Sequence, residues 1–351
     1  MKTWSYAEGH VPRWLAYLLP LLPAILASML YVWLLSRWGM LPGIDGPYYA
    51  VQVRALDATG SLKYPDPPLV FYLMLALYKA SGDLFASVRL GASIPTALAS
   101  APLYVFARRL GASRVAALAS SALFLLAPHS FRLVGDFMKN SAGLLWLSLM
   151  LLATHRHLRG EGCLAADALI LGALYLAAGL THILVYGFTL VFGLLSATAA
   201  LMLGVPRRRV LAAAGAALAS LAVFASAPWL QGGDLGKALR ISEETASSLM
   251  SGGQARPHRR LFFPGATYLC LNWVSVLVLV AEAYLRRARR WDSAVLGGLA
   301  AATAVFSFPL IPWRFLMRFQ LMGSAPLAVS LGAALGGLRR SRGALMAAAV
   351  V

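Results

Sequence analysis

The sequence predicts an all-α, polytopic transmembrane bundle of about 10 to 11 spans, because apolar runs near 20 residues indicate membrane-crossing helices. Of the 351 residues, 60% are hydrophobic and 13% are charged, and the mean hydropathy is +0.70. Soluble domains usually have about a quarter charged residues. A transmembrane barrel would instead show ~10-residue segments of alternating hydrophobicity. The chain is therefore predicted to be helical and embedded in the lipid bilayer.

Short basic clusters interrupt the chain, with room for two spans between consecutive clusters. Because cytoplasmic loops are enriched in Lys and Arg, all the clusters and the N-terminus are expected on the cytoplasmic side. The clusters are Arg108-Arg109 with Arg114, Arg156 with Arg159, Arg207 to Arg209, Arg286-Arg287 with Arg289-Arg290, and Arg339-Arg340 with Arg342. The net charge of +18 is attributed to this anchoring. Nucleic-acid binding is excluded, since there is no zinc knuckle, RNA-recognition signature or basic zipper.

The apolar runs between the clusters predict ten spans and one transmembrane domain over 1–351, with no separate soluble domain. The spans are 14–36, 84–107, 115–131, 141–155, 164–181, 183–203, 210–229, 263–285, 293–311 and 319–338. The apolar tail 343–351 is too short to cross. It is interpreted either as the beginning of an eleventh helix or as a segment at the membrane interface.

Three loops, 37–83, 132–140 and 230–262, are then expected on the extracytoplasmic side. The prolines of 64–68 forbid a regular helix, and the apolar run 70–79 is too short to span. Interfacial helices are therefore expected in the first loop, although 70–79 is alternatively a plain extension of the next span. The third loop is rich in Gly and Ser and is expected to be mobile, with a short helix in its middle.

Asp45 is the first acidic residue next to a membrane span. It lies between Gly43 and Gly46 and is followed by Pro47. A carboxylate held at a membrane surface can act as a general base, or it can bind a metal or a cationic group. The alternative is a solvated turn aspartate, which Gly and Pro neighbours favour.

Asp136 is a second acidic residue beside a span, with Arg132 and Lys139 on either side. Two acids from different outer loops can converge on one metal or one acceptor. Two structural alternatives stay open. Asp136 either caps a helix that begins near Asn140 or forms an ion pair with Lys139.

Three further polar sites follow along the chain. His182 lies at a hairpin between two spans, where it is either functional or simply reaches the headgroups. Arg314 and Arg318 are spaced i,i+4 and share a helix face that suits phosphate, with interfacial anchoring as the alternative. Glu243-Glu244 lies in the third loop, either reaching over a site or forming a solvated acidic pair.

Together these segments resemble the GT-C glycosyltransferases, which include protein mannosyltransferases, aminoarabinose transferases and oligosaccharyltransferase catalytic subunits. The segments are Asp45-Gly-Pro-Tyr-Tyr49, Pro65-Asp-Pro-Pro-Leu-Val-Phe-Tyr72, Gly135-Asp136 with Lys139-Asn140, Leu180-Thr-His182 and Arg318-Phe319. They look most like the loosely characterised archaeal and bacterial members. The chain departs from some members, since Asp45 is not followed by Glu, Asp136 is not in an Asp-x-Asp pattern, and no Trp-Trp-Asp-Tyr-Gly motif is present.

The resemblance implies a sugar donor linked to a polyprenyl phosphate and an acceptor that is a lipid, a glycan or a protein. It implies that Asp45 and Asp136 are the catalytic acids, with Asp45 as base or as ligand of a divalent cation (Mg²⁺ or Mn²⁺) shared with Asp136. The implied substrate-binding residues are Tyr48, Tyr49, Arg54, Lys139, His182, Arg314 and Arg318, and Glu243 and Glu244 lie on the loop over the site.

The sequence leaves two other function classes open. One is a multi-span transporter or lipid flippase without covalent chemistry, and the other is a non-catalytic assembly subunit. A nucleotide-driven pump is excluded, because the chain has no Walker A loop. For the glycosyltransferase hypothesis, which we favour, we expect a multi-pass protein of the cell membrane. Its N-terminus is expected in the cytoplasm and its active-site loops on the extracytoplasmic side.

Overall fold

The computed structural model describes 18–37, 39–41, 43, 45–231, 236, 240, 243–244, 246–247, 262–308, 311 and 313–348. Within these residues every regular element is a helix and no strand is present. This confirms the predicted all-α class. Residues 1–17, which include the first four residues of the predicted first span, lie outside the described part of the chain. Most of the loop 230–262 also lies outside it.

The described residues form fifteen α-helices, numbered here in chain order. The first eight are α1 (Leu21–Ser36), α2 (Gly46–Thr59), α3 (Leu69–Ser81), α4 (Leu84–Leu98), α5 (Ser100–Arg109), α6 (Arg114–Leu126), α7 (Pro128–Asp136) and α8 (Met138–Arg159). The other seven are α9 (Leu164–Thr181), α10 (Ile183–Met202), α11 (Arg207–Ser226), α12 (Phe262–Leu285), α13 (Arg290–Phe306), α14 (Trp313–Leu321) and α15 (Ser324–Ala348).

Each of the ten predicted spans coincides with one of these helices or with a consecutive pair. By length and hydropathy, six helical segments of the described chain can cross a membrane, and the bent pair α6 and α7 makes a seventh. The remaining predicted spans include α1 and α13, whose described lengths are 16 and 17 residues. The bundle is polytopic, as predicted, and six or seven of its described segments are long and apolar enough to cross a membrane.

Large apolar side chains point away from the protein interior on several of these helices. Met29 on α1, Leu218 on α11 and Leu277 on α12 are 66%, 55% and 68% exposed. Such faces are unfavourable in water and favourable against lipid chains. Inside the bundle, α10 and α13 approach so closely at Gly298 that a Cβ on this residue would overlap Ser196. Small residues at a helix crossing permit this approach.

Four of the five basic clusters meet at one end of the bundle. The contacts between them run from Arg109 to Glu161, from Arg209 to the carbonyl of His157, from Arg286 to the carbonyl of Leu110, and from Arg290 to the carbonyl of Gly204. Helix α8 has 22 residues and is about 33 Å long. It begins next to Asp136 and ends at the basic Arg159, so Asp136 lies at the opposite end from these clusters.

The first predicted outer loop contains two helices, α2 and α3. The predicted helix over 70–79 is α3, and it is separate from the next span because Gly82 and Asp83 intervene. The Asp83 carboxylate accepts hydrogen bonds from the amides of Phe85 and Ala86 and so begins α4. Helix α2 was not predicted, and Asp45 lies immediately before it without capping it through its side chain.

Two predictions concern segments near the limits of the described chain. Residues 343–348 continue α15, which ends at Ala348, so they do not begin an eleventh helix and this alternative is wrong. In the loop 230–262, the individually described positions from Gly236 to Ser247 are helical, in agreement with the short helix predicted there. The predicted mobility of this loop concerns residues that are largely outside the described ranges.

Candidate functional site

The first and second predicted outer loops touch at Gly43. Its φ is +78°, in the left-handed region that glycine adopts without strain. A Cβ at this position would overlap the carbonyl oxygen of Gly135 and would lie 2.9 Å from Asp136 Oδ1. The close contact needs a residue without a side chain, and it places Asp45, two residues later, beside the end of α7.

Asp45 is half-buried between charged groups from three segments of the chain. Burial raises the pKa of its carboxyl group above the usual range, since a buried carboxylate loses hydration. The positive charges of Arg318 and Lys139 lower the pKa in turn, and the negative charges of Asp136 and Asp66 raise it. The site thus contains a carboxylate that accepts a proton more readily than an exposed aspartate does.

Lys139 forms a buried ion pair with Asp66, not with Asp136 as one alternative had it. The side chains of Lys139 and Asp66 are only 9% and 5% exposed. The Tyr48 hydroxyl donates to Asp66 Oδ2 at 2.7 Å, and the backbone amide of Lys139 donates to the Tyr49 hydroxyl at 3.3 Å. Both predicted tyrosines therefore help to hold this ion pair between the first loop and α8.

The proline-rich segment 64–68 is fixed by the side-chain amide of Gln52. Gln52 Nε2 donates to the Tyr48 hydroxyl and to the carbonyl of Tyr64, both at 2.8 Å, while Gln52 Oε1 accepts from the amide of Tyr64 at 3.0 Å. Gln52 is completely buried. These two hydrogen bonds to the Tyr64 backbone hold the segment that carries Asp66 in place. Neither Gln52 nor Asp66 was among the predicted site residues.

Asp136 is paired with Arg132 on its own helix. Arg132 Nε and Asp136 Oδ2 are 2.7 Å apart, in the i,i+4 spacing that brings side chains together on a helix. The next helix, α8, has Phe137 at its N-cap and no side-chain cap. The alternative role of Asp136 as a helix cap is therefore wrong, and its carboxylate faces the Gly43 segment.

Arg318 brings the third segment of the chain to this place. It lies on α14, and its guanidinium group is 4.9 Å from the centre of the Phe137 ring. With it, the charged cluster contains three carboxylates and three cations. They are Asp45, Asp66, Asp136, Arg132, Lys139 and Arg318.

The other predicted residues either lie outside the charged cluster or have side chains outside the described part of the chain. His182 has a local role, because its Nδ1 accepts the amide of Leu184 at 3.1 Å and caps α10. Arg54 is exposed on α2. The side chain of Arg314 is outside the described part. Glu243 and Glu244 are helical positions of the third loop, the first exposed and the second partly buried.

An apolar cavity of about 690 Å³ lies between α1 and α7. Its lining residues are Tyr31, Leu34, Leu35, Arg37, Phe131, Val134 and Gly135. Because Gly135 directly precedes Asp136, the cavity reaches the charged cluster. Arg37, the one cation among the described lining residues, packs over the Trp33 ring at 4.9 Å. The site therefore combines an apolar space with a charged edge.

The predicted divalent cation finds an incomplete ligand set among the described residues. No three His, Cys, Asp or Glu side chains there lie close enough together to hold a metal ion. Mg²⁺ prefers six oxygen ligands. Asp45 and Asp136 supply carboxylates, but Asp136 is already bound to Arg132. The arrangement fits a proton acceptor among cations better than it fits a metal centre.

The Gly43→Ala variant is expected to be less stable than wild type because of both strain and steric overlap. Gly60→Ala is the matched control, since Gly60 has φ +73° and open space around it. The control should lower the free energy of unfolding by about 1 kcal/mol through left-handed strain alone. Gly43→Ala should cost about 1–3 kcal/mol more through overpacking against Gly135. Unfolding in detergent micelles measures both, and equal losses would contradict the contact at Gly43.

No protein-family model matches this sequence, and no curated protein matches it. Among solved structures, the chain is similar to the archaeal oligosaccharyltransferase AglB from Archaeoglobus fulgidus, solved in complex with an inhibitory peptide and a dolichol-phosphate. The TM-score is 0.51 at 16% sequence identity, and the match covers 95% of this chain and 52% of that one. This chain thus spans about half the length of the solved protein. The likeness is one of fold.

Proposed function

We propose that this protein is a membrane glycosyltransferase that uses a sugar linked to a polyprenyl phosphate. The observation that carries the proposal is Asp45, a half-buried carboxylate with a raised pKa beside Arg318. Transfer of a glycosyl group from a phosphate needs a base for the acceptor and a cation for the leaving phosphate. Both groups are present at one end of the bundle.

In the proposed reaction, Asp45 accepts the proton of the acceptor's nucleophilic group. The nucleophile forms a bond to the anomeric carbon as the bond from that carbon to the phosphate oxygen breaks. The electron pair stays on the polyprenyl phosphate, and Arg318 stabilises the resulting negative charge. Arg318 suits this role because it has no carboxylate within ion-pair distance among the described residues, whereas Arg132 and Lys139 each have one.

The cavity between α1 and α7 supports a lipid-linked donor. Its lining is mostly apolar and includes Gly135, the neighbour of Asp136 in the sequence. A lipid that carries an anionic headgroup needs both an apolar channel and a nearby cation. The similar archaeal structure holds a dolichol-phosphate, which is a lipid of this chemical kind. We extend that ligand class to the present chain as part of the proposal.

The remaining predicted roles complete the proposal. Arg314, one turn before Arg318 on α14, adds a second cation for the phosphate, and Glu243 and Glu244 belong to a segment that closes over the bound substrates. Arg54 and His182 bind the substrates at the edge of the site. The acceptor is a lipid, a glycan or a protein. The active-site loops are proposed to be extracytoplasmic, and no step is assigned to a metal, because the described ligand set is incomplete.

Reconstitution in liposomes tests the proposal. The protein is supplied with a labelled polyprenyl-phosphate sugar and a mixture of lipid, glycan and peptide acceptors. We expect free polyprenyl phosphate and a glycosylated product to appear together. Movement of the labelled lipid between leaflets without release of polyprenyl phosphate would support the transporter or flippase alternative instead.

A further inference from the structure

A second group of polar side chains is buried beneath the charged cluster. It lies where α7, α12, α13, α14 and α15 come together. We call it the amide cluster, and its members are His129, Asn272, Ser307, Gln320 and Ser324, each at most 1% exposed. Burying a polar group inside a membrane bundle costs free energy unless the group is hydrogen-bonded. Such groups therefore commonly have a structural or functional role.

Asn272, on α12, is the centre of the amide cluster. Its Nδ2 donates to Ser307 Oγ, just after α13, and to the carbonyl of Gln320 near the end of α14, both at 2.9 Å. A Cβ on Gly323 would overlap the Asn272 amide group. The Asn272 side chain therefore packs directly against the break between α14 and α15.

The same cluster connects to the helix that carries Asp136. His129, on α7, packs on the Tyr268 ring with 4.8 Å between ring centres, and Tyr268 lies one turn before Asn272 on α12. Arg132 and Asp136 follow it on α7. The amide cluster thus joins the helix of Asp136 to the helix of Arg318.

Six polar atoms of the amide cluster have no hydrogen-bond partner among the protein atoms described. They are His129 Nδ1, His129 Nε2, Asn272 Oδ1, Gln320 Nε2, Gln320 Oε1 and Ser324 Oγ. Buried polar atoms in native proteins are nearly always satisfied, and ordered water commonly supplies the missing bonds. We therefore expect internal water to complete the hydrogen bonding of the amide cluster, including that of Gln320 and Ser324.

Helix α14 is short, with nine residues, and a two-residue break separates it from α15. The two helices run in one candidate span, Leu316–Leu338. Asn272 binds the carbonyl of Gln320 at this break, two positions after Arg318. A loss of this hydrogen bond would let α14 bend at the break and would move the guanidinium group relative to Asp45.

We propose that Asn272 is a positioning residue that, with internal water at Gln320 and Ser324, holds Arg318 beside Asp45. The catalytic consequence rests on the proposed function, whereas the positioning itself does not. Asn272 acts through Arg318 and does not touch the reacting groups. The proposal predicts that changes at Asn272 alter the electrostatic environment of Asp45 without altering any charge in the protein.

Carbodiimide labelling of Asp45, read by mass spectrometry over a range of pH, tests this positioning without any substrate. The reagent modifies protonated carboxyl groups, so labelling follows the Asp45 pKa. Asn272→Ala removes none of the charged neighbours of Asp45, which are Arg318, Lys139, Asp136 and Asp66, so a change in labelling reports a change in their positions. Arg318→Gln, which removes the cation, should increase labelling at a fixed pH by about threefold, because it removes an attraction that favours the ionised form. Asn272→Ala should change labelling in the same direction.

The double variant distinguishes positioning from general damage. If Asn272 acts through Arg318, Asn272→Ala adds little labelling once Arg318 is already Gln, so the two effects are not additive. Ser275→Ala is the matched control, since Ser275 is buried on the same helix and donates only to its own helix, at Leu271. It should leave labelling unchanged.

Three results would overturn the proposal. They are unchanged labelling in Asn272→Ala, an additive double variant, and unchanged labelling in Arg318→Gln. If Asn272→Ala does not fold, Ser307→Ala removes one of the two acceptors of Asn272 Nδ2 and should give a smaller change in the same direction. A protein that shows this labelling pattern but transfers no sugar would refute the proposed function and leave the positioning intact.

Discussion

The Asp45→Asn variant is expected to lose sugar transfer by about 10²- to 10⁴-fold, the usual contribution of a general base. Asn has nearly the same shape but does not accept the acceptor's proton. The variant should therefore insert and bind the donor normally. The measurement is the rate of polyprenyl phosphate release in liposomes with saturating donor.

Asp57→Asn is the matched control for this variant. Asp57 lies on α2 in the same predicted outer loop, and it pairs with Lys79 rather than with the charged cluster. Transfer by Asp57→Asn should stay close to the wild-type rate. Wild-type turnover in Asp45→Asn would refute the assignment of Asp45 as the base.

The proposed base also determines the pH dependence of transfer. Burial raises the pKa of Asp45, so the ionised form is lost at a higher pH than for an exposed aspartate. Transfer should fall as the pH decreases through this raised pKa. Arg318 lowers the pKa of Asp45, and Arg318→Gln should therefore move the acid limb of the pH profile to higher pH.

The Asp66→Asn variant is expected to lower the free energy of unfolding by about 3–5 kcal/mol, because it leaves the buried Lys139 ammonium group without its partner. The Lys139 side chain is only 9% exposed, so water does not replace the carboxylate. The Tyr48 hydroxyl also loses a charged acceptor. Chemical unfolding in detergent micelles, followed by tryptophan fluorescence, measures the loss.

A surface ion pair in the same loop provides the comparison. Lys79, the partner of Asp57, is 64% exposed, and exposed pairs contribute about 0–1 kcal/mol. Asp57→Asn should therefore change stability little. Adding Lys139→Met to Asp66→Asn should recover part of the loss, because the unpaired charge is removed. Equal losses in Asp66→Asn and Asp57→Asn would contradict a buried, stabilising role for Asp66.

Most of the helical architecture could be predicted because apolar runs and basic clusters are local features of the sequence. The hairpin at Thr181 and His182 and the helix over 70–79 are examples, and both are present. Helix α2 was missed because its sequence is weakly apolar and begins with Gly46-Pro47, a pair that also indicates a turn. Its stability comes from packing against α3, including Tyr49 on Phe71, which local patterns do not reveal.

The partners of the charged residues were harder to predict than the residues themselves. Spacing along the chain suggested that Asp136 pairs with Lys139, yet Lys139 pairs with Asp66, 73 positions away. A lone Asp among prolines was the available signal for Asp66. The role of Gln52 could not be predicted from the sequence, because it depends on hydrogen bonds to the backbone of Tyr64, 12 residues away, which only the folded structure shows.

Photo-crosslinking of the donor tests most directly whether substrates bind at the charged cluster. The probe is a polyprenyl-phosphate sugar with a photoreactive group on the isoprene unit next to the phosphate, and crosslinked peptides are identified by mass spectrometry. We expect crosslinks in the segments 45–72, 131–139 and 313–321, and competition by the unmodified donor. Crosslinks that instead fall at the opposite end of the bundle, near Arg209 and Arg286, or that persist under competition, would contradict the proposed site.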